Sequence, residues 1–146
     1  MPADTAQAGL ERSAWTPARV FLVASAIYHL PLGIAGLMSN QAFPIGAEAA
    51  QRAESALVFG AFETNGWHSL AALLLGIASV YFAWTNWRVR SVALAIGGFH
   101  VGIVVSLSIW DPSVFWFASN GADQVIHTGT AVGGLASGLA TPRDST

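Results

Sequence analysis

The stretch NGWHSLAALLLGIASVYFAWTNW, Asn65 to Trp87, carries no Asp, Glu, Lys or Arg. As a helix it crosses the hydrocarbon core of a bilayer, which takes about 20 apolar residues at about 1.5 Å each. Trp67 stands at one end and Trp84 and Trp87 at the other, the levels at which indole rings settle between headgroups and acyl chains. Asn65 is placed to cap the first turn. At helical spacing, Asn65, His68, Ser69, Ala72, Gly76, Ser79 and Ala83 form one polar and small stripe, with Leu, Ile, Val and Phe elsewhere. Lipid is expected to meet the large residues, and other helices the stripe.

Composition agrees with a membrane chain. Apolar residues make up 53% and charged residues 10%, against about 25% charged in an ordinary soluble domain. With no cysteine, disulfides and thiolate-held metals or iron–sulfur clusters are excluded. No basic run points to nucleic acid.

Three further apolar runs complete an all-α integral membrane four-helix bundle, up-down-up-down. The spans are placed at about 18–38, 65–86, 91–110 and 121–140, between an N-terminal segment over 1–17 and a tail over 141–146. The first run exceeds a usual signal-peptide h-region and lacks a small-x-small cleavage site after it, so it reads as a span. Pro31 is expected to kink it or open its hydrogen-bond ladder near His29. Residues 39–64 read as a long loop with a short helix over 47–57. Residues 113–119, with Phe115, Trp116 and Phe117, read as an interfacial segment. Gly98, Gly102 and Ser106 read as a packing row in the third span. Gly129, Gly133, Gly134 and Gly138 give two GxxxG pairs in the fourth.

Four spans put both termini on one side. Arg12, Arg19, Arg88, Arg90 and Arg143 fall there, and only Arg52 falls opposite, with Glu48, Glu54, Glu63, Asp111 and Asp123. The positive-inside rule makes that side cytoplasmic, in a plasma-membrane protein. The halves also repeat. Tyr28-His29 answers Phe99-His100, and Gly76-Ile77-Ala78-Ser79 answers Gly134-Leu135-Ala136-Ser137. Two helical hairpins related by a pseudo-twofold axis along the membrane normal would show such a repeat.

The run Phe62-Glu63-Thr64-Asn65-Gly66-Trp67-His68-Ser69-Leu70, leading into Leu73-Leu74-Leu75-Gly76, and the later Asp123-Gln124-Val125-Ile126-His127 resemble a family of small four-span bacterial membrane proteins. It is catalogued as domain of unknown function 4383. The resemblance covers Arg19 to Leu139. It implies a fold and a membrane location, and no activity. Ala72 stands where many relatives carry a second histidine, so a two-histidine ligand set on the second helix is not available here.

Each span holds one histidine: His29, His68, His100 and His127. By helical rise, His29 and His100 fall near the midplane, His127 about 5 Å and His68 about 10 Å further toward the outer face. One reading makes them ligands, since histidines on facing helices hold haem or a divalent metal ion. Asp123, four residues before His127, would then take its ring N–H. A second reading makes them hydrogen-bonded packing groups, and a third, smaller one a proton relay through Asp123, His127 and His68; the unequal depths argue against one four-histidine centre. Any site is expected to centre on His68, His127 and Asp123, with His29 and His100 secondary. Ser69 and His68 are adjacent on the helix, so they form no nucleophile–base pair. No catalytic set emerges. The expected role is structural or accessory, in the lipid bilayer, within a complex with other membrane-protein subunits or a homo-oligomer; the alternative is a haem- or metal-binding membrane protein.

Overall fold

The computed structural model describes residues 15–45, 56–109 and 116–143. Four long helices carry the fold: α1 Pro17–Ser39, α2 Gly66–Thr85, α3 Val89–Ile109 and α4 Gly121–Ala140. Three of them, α1, α2 and α3, are long and apolar enough to cross a membrane, and the chain is a membrane protein. The fourth opens with Asp123, Gln124 and His127 and is rich in glycine, which lowers its hydropathy below that of the others.

Local chemistry sets the helix ends. Thr16 accepts from the Arg19 N–H with Pro17 in the first position, where a missing N–H costs nothing. Asn65 accepts from the His68 N–H. Asn120 and Asp123 form a reciprocal capping box at the start of α4. The third helix begins at Val89 rather than Ser91. Arg90 therefore lies inside it, and the reversal falls on Asn86 and Arg88, at φ 51° and 48°.

Helix α1 packs chiefly on α2, and α3 chiefly on α4. The two pairs meet mainly through α1, while α2 and α3 scarcely touch. Glycines bring each pair to backbone distance. A Cβ on Gly33 would lie 2.5 Å from the Leu73 nitrogen, and one on Gly76 2.9 Å from that of Leu30. In the second pair a Cβ on Gly97 would lie 2.7 Å from the Leu135 nitrogen, and one on Gly134 2.8 Å from the Ala93 carbonyl oxygen. Gly76 and Gly134, matched in the sequence repeat, thus do the same work. The stripe of α2 is its buried face, and Leu74, Ile77, Tyr81 and Trp84 are exposed toward lipid.

Two expectations need correction. Gly98, Gly102 and Gly129 face open space, and Gly133 meets only the Phe21 ring at 3.4 Å; Gly97, Gly134 and Gly138 are the packed glycines. The α3 row is therefore offset by one residue, about 100° around the helix. The short helix over 47–57 fails at its end, because Ala56 and Leu57 are extended in β1; the rest of that range lies outside the described residues. Strand β1 Ala56–Val58 pairs antiparallel with β2 Phe62–Thr64, Leu57 opposite Glu63. Of the interfacial segment, residues 116–119 are described: Trp116 is exposed, and the chain then turns in over the helix starts. Phe117 stacks over His68 with ring centroids 5.6 Å apart, and Ala118 is buried. Residues 110–115 lie outside the described ones.

The glycine contacts make a direct prediction. Gly134→Ala forces α3 and α4 apart and should lower stability by about 1–3 kcal/mol, the usual cost of overpacking. Gly98→Ala meets nothing and should be neutral or stabilise by up to about 1 kcal/mol through helix propensity. Thermal unfolding of the two variants in detergent, followed by tryptophan fluorescence, checks the contrast.

Candidate functional site

Two ends of the bundle are useful landmarks. At the terminal end lie the starts of α1 and α3 and the ends of α2 and α4, where the Ala18 N–H donates to Thr141 Oγ1. At the hairpin end, β1 and β2 sit across the starts of α2 and α4.

The hairpin end is closed by backbone and side-chain bonds. Asp123 Oδ2 accepts from the Glu63 N–H at 3.1 Å and from the Asn120 N–H at 2.9 Å. Asn120 Nδ2 donates to the Ala61 carbonyl at 2.8 Å, and Asn65 Nδ2 to the Trp116 carbonyl at 2.7 Å. Thr64 and Ser69 share a hydroxyl bond of 2.6 Å, tying β2 to α2. The hairpin and residues 116–120 together form a lid over the helix starts.

Beneath the lid the four histidines form a row. His68 and His127 have ring centroids 5.6 Å apart, His127 and His100 5.4 Å, and His100 and His29 5.6 Å. All four are buried. The order follows depth: His68 opens α2, His127 lies a turn or so into α4, and His100 and His29 reach mid-helix. Although the depths estimated from sequence are unequal, all four rings line one small cavity. The structure brings His29 and His100, ranked second in the sequence, into the same row as His68 and His127.

Each ring is held by a specific partner, save one. His29 Nδ1 donates to the Ser25 carbonyl at 2.8 Å, and His100 Nδ1 to the Ile96 carbonyl at 2.8 Å, both one turn back on their own helices. These are the two histidines of the sequence repeat, in the same local geometry. His68 Nδ1 donates to the carbonyls of Ala118 at 2.8 Å and Glu63 at 3.1 Å. A carbonyl only accepts, so these three rings carry a proton on Nδ1, and Nε2 is the nitrogen left for anything that binds. His127 Nδ1 is buried with no partner.

The expected bond between Asp123 and His127 is not formed. As the third residue of the capping box, Asp123 turns back to the helix start, and its second oxygen, Oδ1, is buried without a partner. It caps the lid rather than orienting the ring.

The row continues toward the terminal end through two serines. Ser25 Oγ lies 3.1 Å from His29 Nδ1, and Ser79 donates to Ser25 Oγ at 3.2 Å. Both are buried. Beyond them Ala18, Leu22, Ala83, Val89, Ala93 and Ile96 make an apolar cluster. The polar row therefore runs from the lid to past mid-helix and stops at a hydrophobic plug. Sequence reasoning placed Ser79 on the buried stripe but missed its partner; the Ser25–His29 spacing of one turn was the available signal.

The four rings line a cavity with Tyr28, Leu32, Ala72, Phe99 and Phe117. Its volume of about 20 Å³ is room for a single water molecule, not for a porphyrin. Among the described residues, no group of three His, Asp or Glu side chains is arranged to hold a metal ion.

The family model described as Domain of unknown function (DUF4383) matches residues 19–140. No curated protein and no solved structure matches the chain.

The lid makes a prediction. Asp123→Ala leaves two backbone donors without their acceptor and should cost about 1–3 kcal/mol. Amide exchange should speed up at Glu63 and Asn120 and stay unchanged in mid-α3. Asp123→Asn, which keeps an acceptor oxygen, should lose less.

Proposed function

The chain belongs to the family described as Domain of unknown function (DUF4383), and from that premise, a fold without a reaction, we propose that its working part is the buried imidazole row. In this reading the protein is an accessory component of the plasma membrane that passes protons between the hairpin end and the bundle interior. Both termini are cytoplasmic: Arg19, Arg88, Arg90 and Arg143 gather at the terminal end. The hairpin end then faces outward.

One observation carries the reading: four rings from four helices stand in successive contact at 5.4–5.6 Å around one small cavity, with two buried hydroxyls next to His29. A neutral imidazole held through Nδ1–H keeps its Nε2 lone pair, so His29, His68 and His100 each take up and release a proton at Nε2. A water in the cavity bridges gaps too long for a direct bond. Rings in successive contact suit an electron-pair acceptor that moves, and ionisable groups within spans commonly mark proton relays.

A second reading has its own support. Metal-bound histidines typically donate the second ring nitrogen to a backbone carbonyl or carboxylate, as His29, His68 and His100 do with Nδ1. A divalent ion between two neighbouring rings, at about 2.0–2.1 Å from each nitrogen, would need the rings to turn toward it. A third reading, a purely structural subunit or homo-oligomer, treats the rings as packing groups.

Proteoliposomes loaded with a pH-sensitive dye separate the three. The wild type should be tight, because the apolar cluster around Leu22 closes the row. Leu22→Ser, one turn from Ser25, should open a proton leak. Adding His100→Phe, which removes the central ring, should return the leak to the level of empty liposomes. A tight Leu22→Ser variant, or a leak that survives His100→Phe, returns the rings to packing. One metal ion per chain by elemental analysis makes the site a metal centre instead.

A further inference from the structure

Three buried polar atoms near the hairpin end meet no hydrogen-bond partner among the described residues: Ser119 Oγ, Asp123 Oδ1 and His127 Nδ1. Ser119 stands just before the Asn120 cap. Asp123 and His127 follow on α4, one turn apart, so they share a face. Asp123 is 1% exposed and His127 7%. A buried polar atom without a partner is uncommon and costs free energy. Three along one stretch of chain mark a place that holds something polar.

The capping box explains how the atoms are placed. It commits one oxygen of Asp123, Oδ2, to the N–H groups of Asn120 and Glu63. Those bonds fix the carboxylate and leave Oδ1 unused. One turn on, His127 lines the small cavity, its ring beside those of His68 and His100. Four residues of helix rise about 6 Å, and two hydrogen bonds through one water span about 5.6 Å. One bridging water therefore fits the interval from Asp123 to His127, with the Ser119 hydroxyl at the outer end.

The four rings differ in what they can pass on. His29, His68 and His100 each give Nδ1–H to a carbonyl, which leaves Nε2 alone to exchange a proton. His68 lies nearest the lid, yet its Nδ1 is tied to two lid carbonyls and its ring is stacked on Phe117. His127 makes no hydrogen bond through either ring nitrogen among the described residues. Of the four, it is the ring that can take a proton on one nitrogen and release one from the other.

We propose that His127, not His68, is the entrance to the row, and that protons reach it from the hairpin end along Ser119, Asp123 Oδ1 and ordered water. The proposal rests on the reading of the row as a proton path and names its port. A hydronium ion at the hairpin end gives its proton to Asp123 Oδ1, which passes it through a water to the lone pair on His127 Nδ1. The imidazolium so formed releases its Nε2 proton to the lone pair on His100 Nε2. Asp123 is left ionised again and His127 neutral, with its hydrogen on Nδ1. A half-turn of the ring, which no hydrogen bond holds, restores the first tautomer. The titratable groups that act on the Asp123 carboxylate are Glu63 on β2, His68 on α2 and Tyr28 on α1; His127 is faced by the other three rings.

Solid-state nuclear magnetic resonance of the full-length protein in bilayers, with ¹⁵N-labelled histidine and transfer into deuterated water, times the exchange of each ring N–H. The ring proton of His127 should exchange about tenfold faster than the hydrogen-bonded Nδ1 protons of His29, His68 and His100. Asp123→Asn keeps an acceptor for the two lid N–H groups and loses the oxygen that takes a proton, so it should slow His127 exchange about tenfold. A lid merely loosened by the substitution would speed exchange instead. His68 exchanging first, or His127 exchange that Asp123→Asn leaves unchanged or speeds, overturns the proposal. These readings need no transport and stand apart from the Leu22→Ser leak, which tests the row itself. In that variant, adding Asp123→Asn should cut the proton leak about tenfold. A leak left at its full rate overturns the entrance and leaves the row in place.

Discussion

Inside a bilayer a polar group has to find its partner within the protein, since no water is there to supply one. The bundle meets that constraint at its histidines by giving ring N–H groups to backbone carbonyls. His29 and His100 use the carbonyl one turn back on their own helices, and His68 uses carbonyls of the lid. Each bond fixes a ring in place and decides which nitrogen carries the proton. Among the described residues, the four imidazoles line their cavity without a carboxylate beside them. Asp123, the nearest acid in the sequence motif, is occupied with capping backbone at the rim.

The helix pairs make this interior possible. Close backbone contact at Gly33 and Gly76, and again at Gly97 and Gly134, turns each pair into one unit. Dispersion contacts and close fit hold such units together where lipid tails are as apolar as the side chains. The two units meet along α1, and the row of rings lies between them.

Much of this was legible in the sequence because helical periodicity in a membrane chain is a strong signal. The stripe from Asn65 to Ala83 coincides with the buried face of α2, and the four apolar runs became four helices. The rest followed signals too local or too weak to read. Strands of three residues show no alternation, and the turn between them places Phe59 at φ 53°, a conformation for which a phenylalanine gives no warning. In α3, Gly97 and Gly98 are adjacent, and only the partner helix decides which one packs. Among the candidate residues, estimated depth set the histidines apart, whereas in the fold all four line one cavity. The choice of His68 and His127 over His29 and His100 followed the family-like motifs, and the rings in fact stand in one continuous row. The lid was invisible because it joins residues 61–65 to residues 116–123, far apart in the chain.

The central claim is that three imidazoles are held as Nδ1–H donors to carbonyls in the bundle interior. Solid-state nuclear magnetic resonance of the full-length protein in lipid bilayers, with ¹⁵N-labelled histidine, reads the protonation of each ring nitrogen. The account predicts protonated Nδ1 and unprotonated Nε2 at His29, His68 and His100, resolved from a differently placed His127 and slow to exchange with deuterated water. Nε2-protonated rings at these three positions, or rings averaging rapidly between tautomers with full access to water, would contradict it.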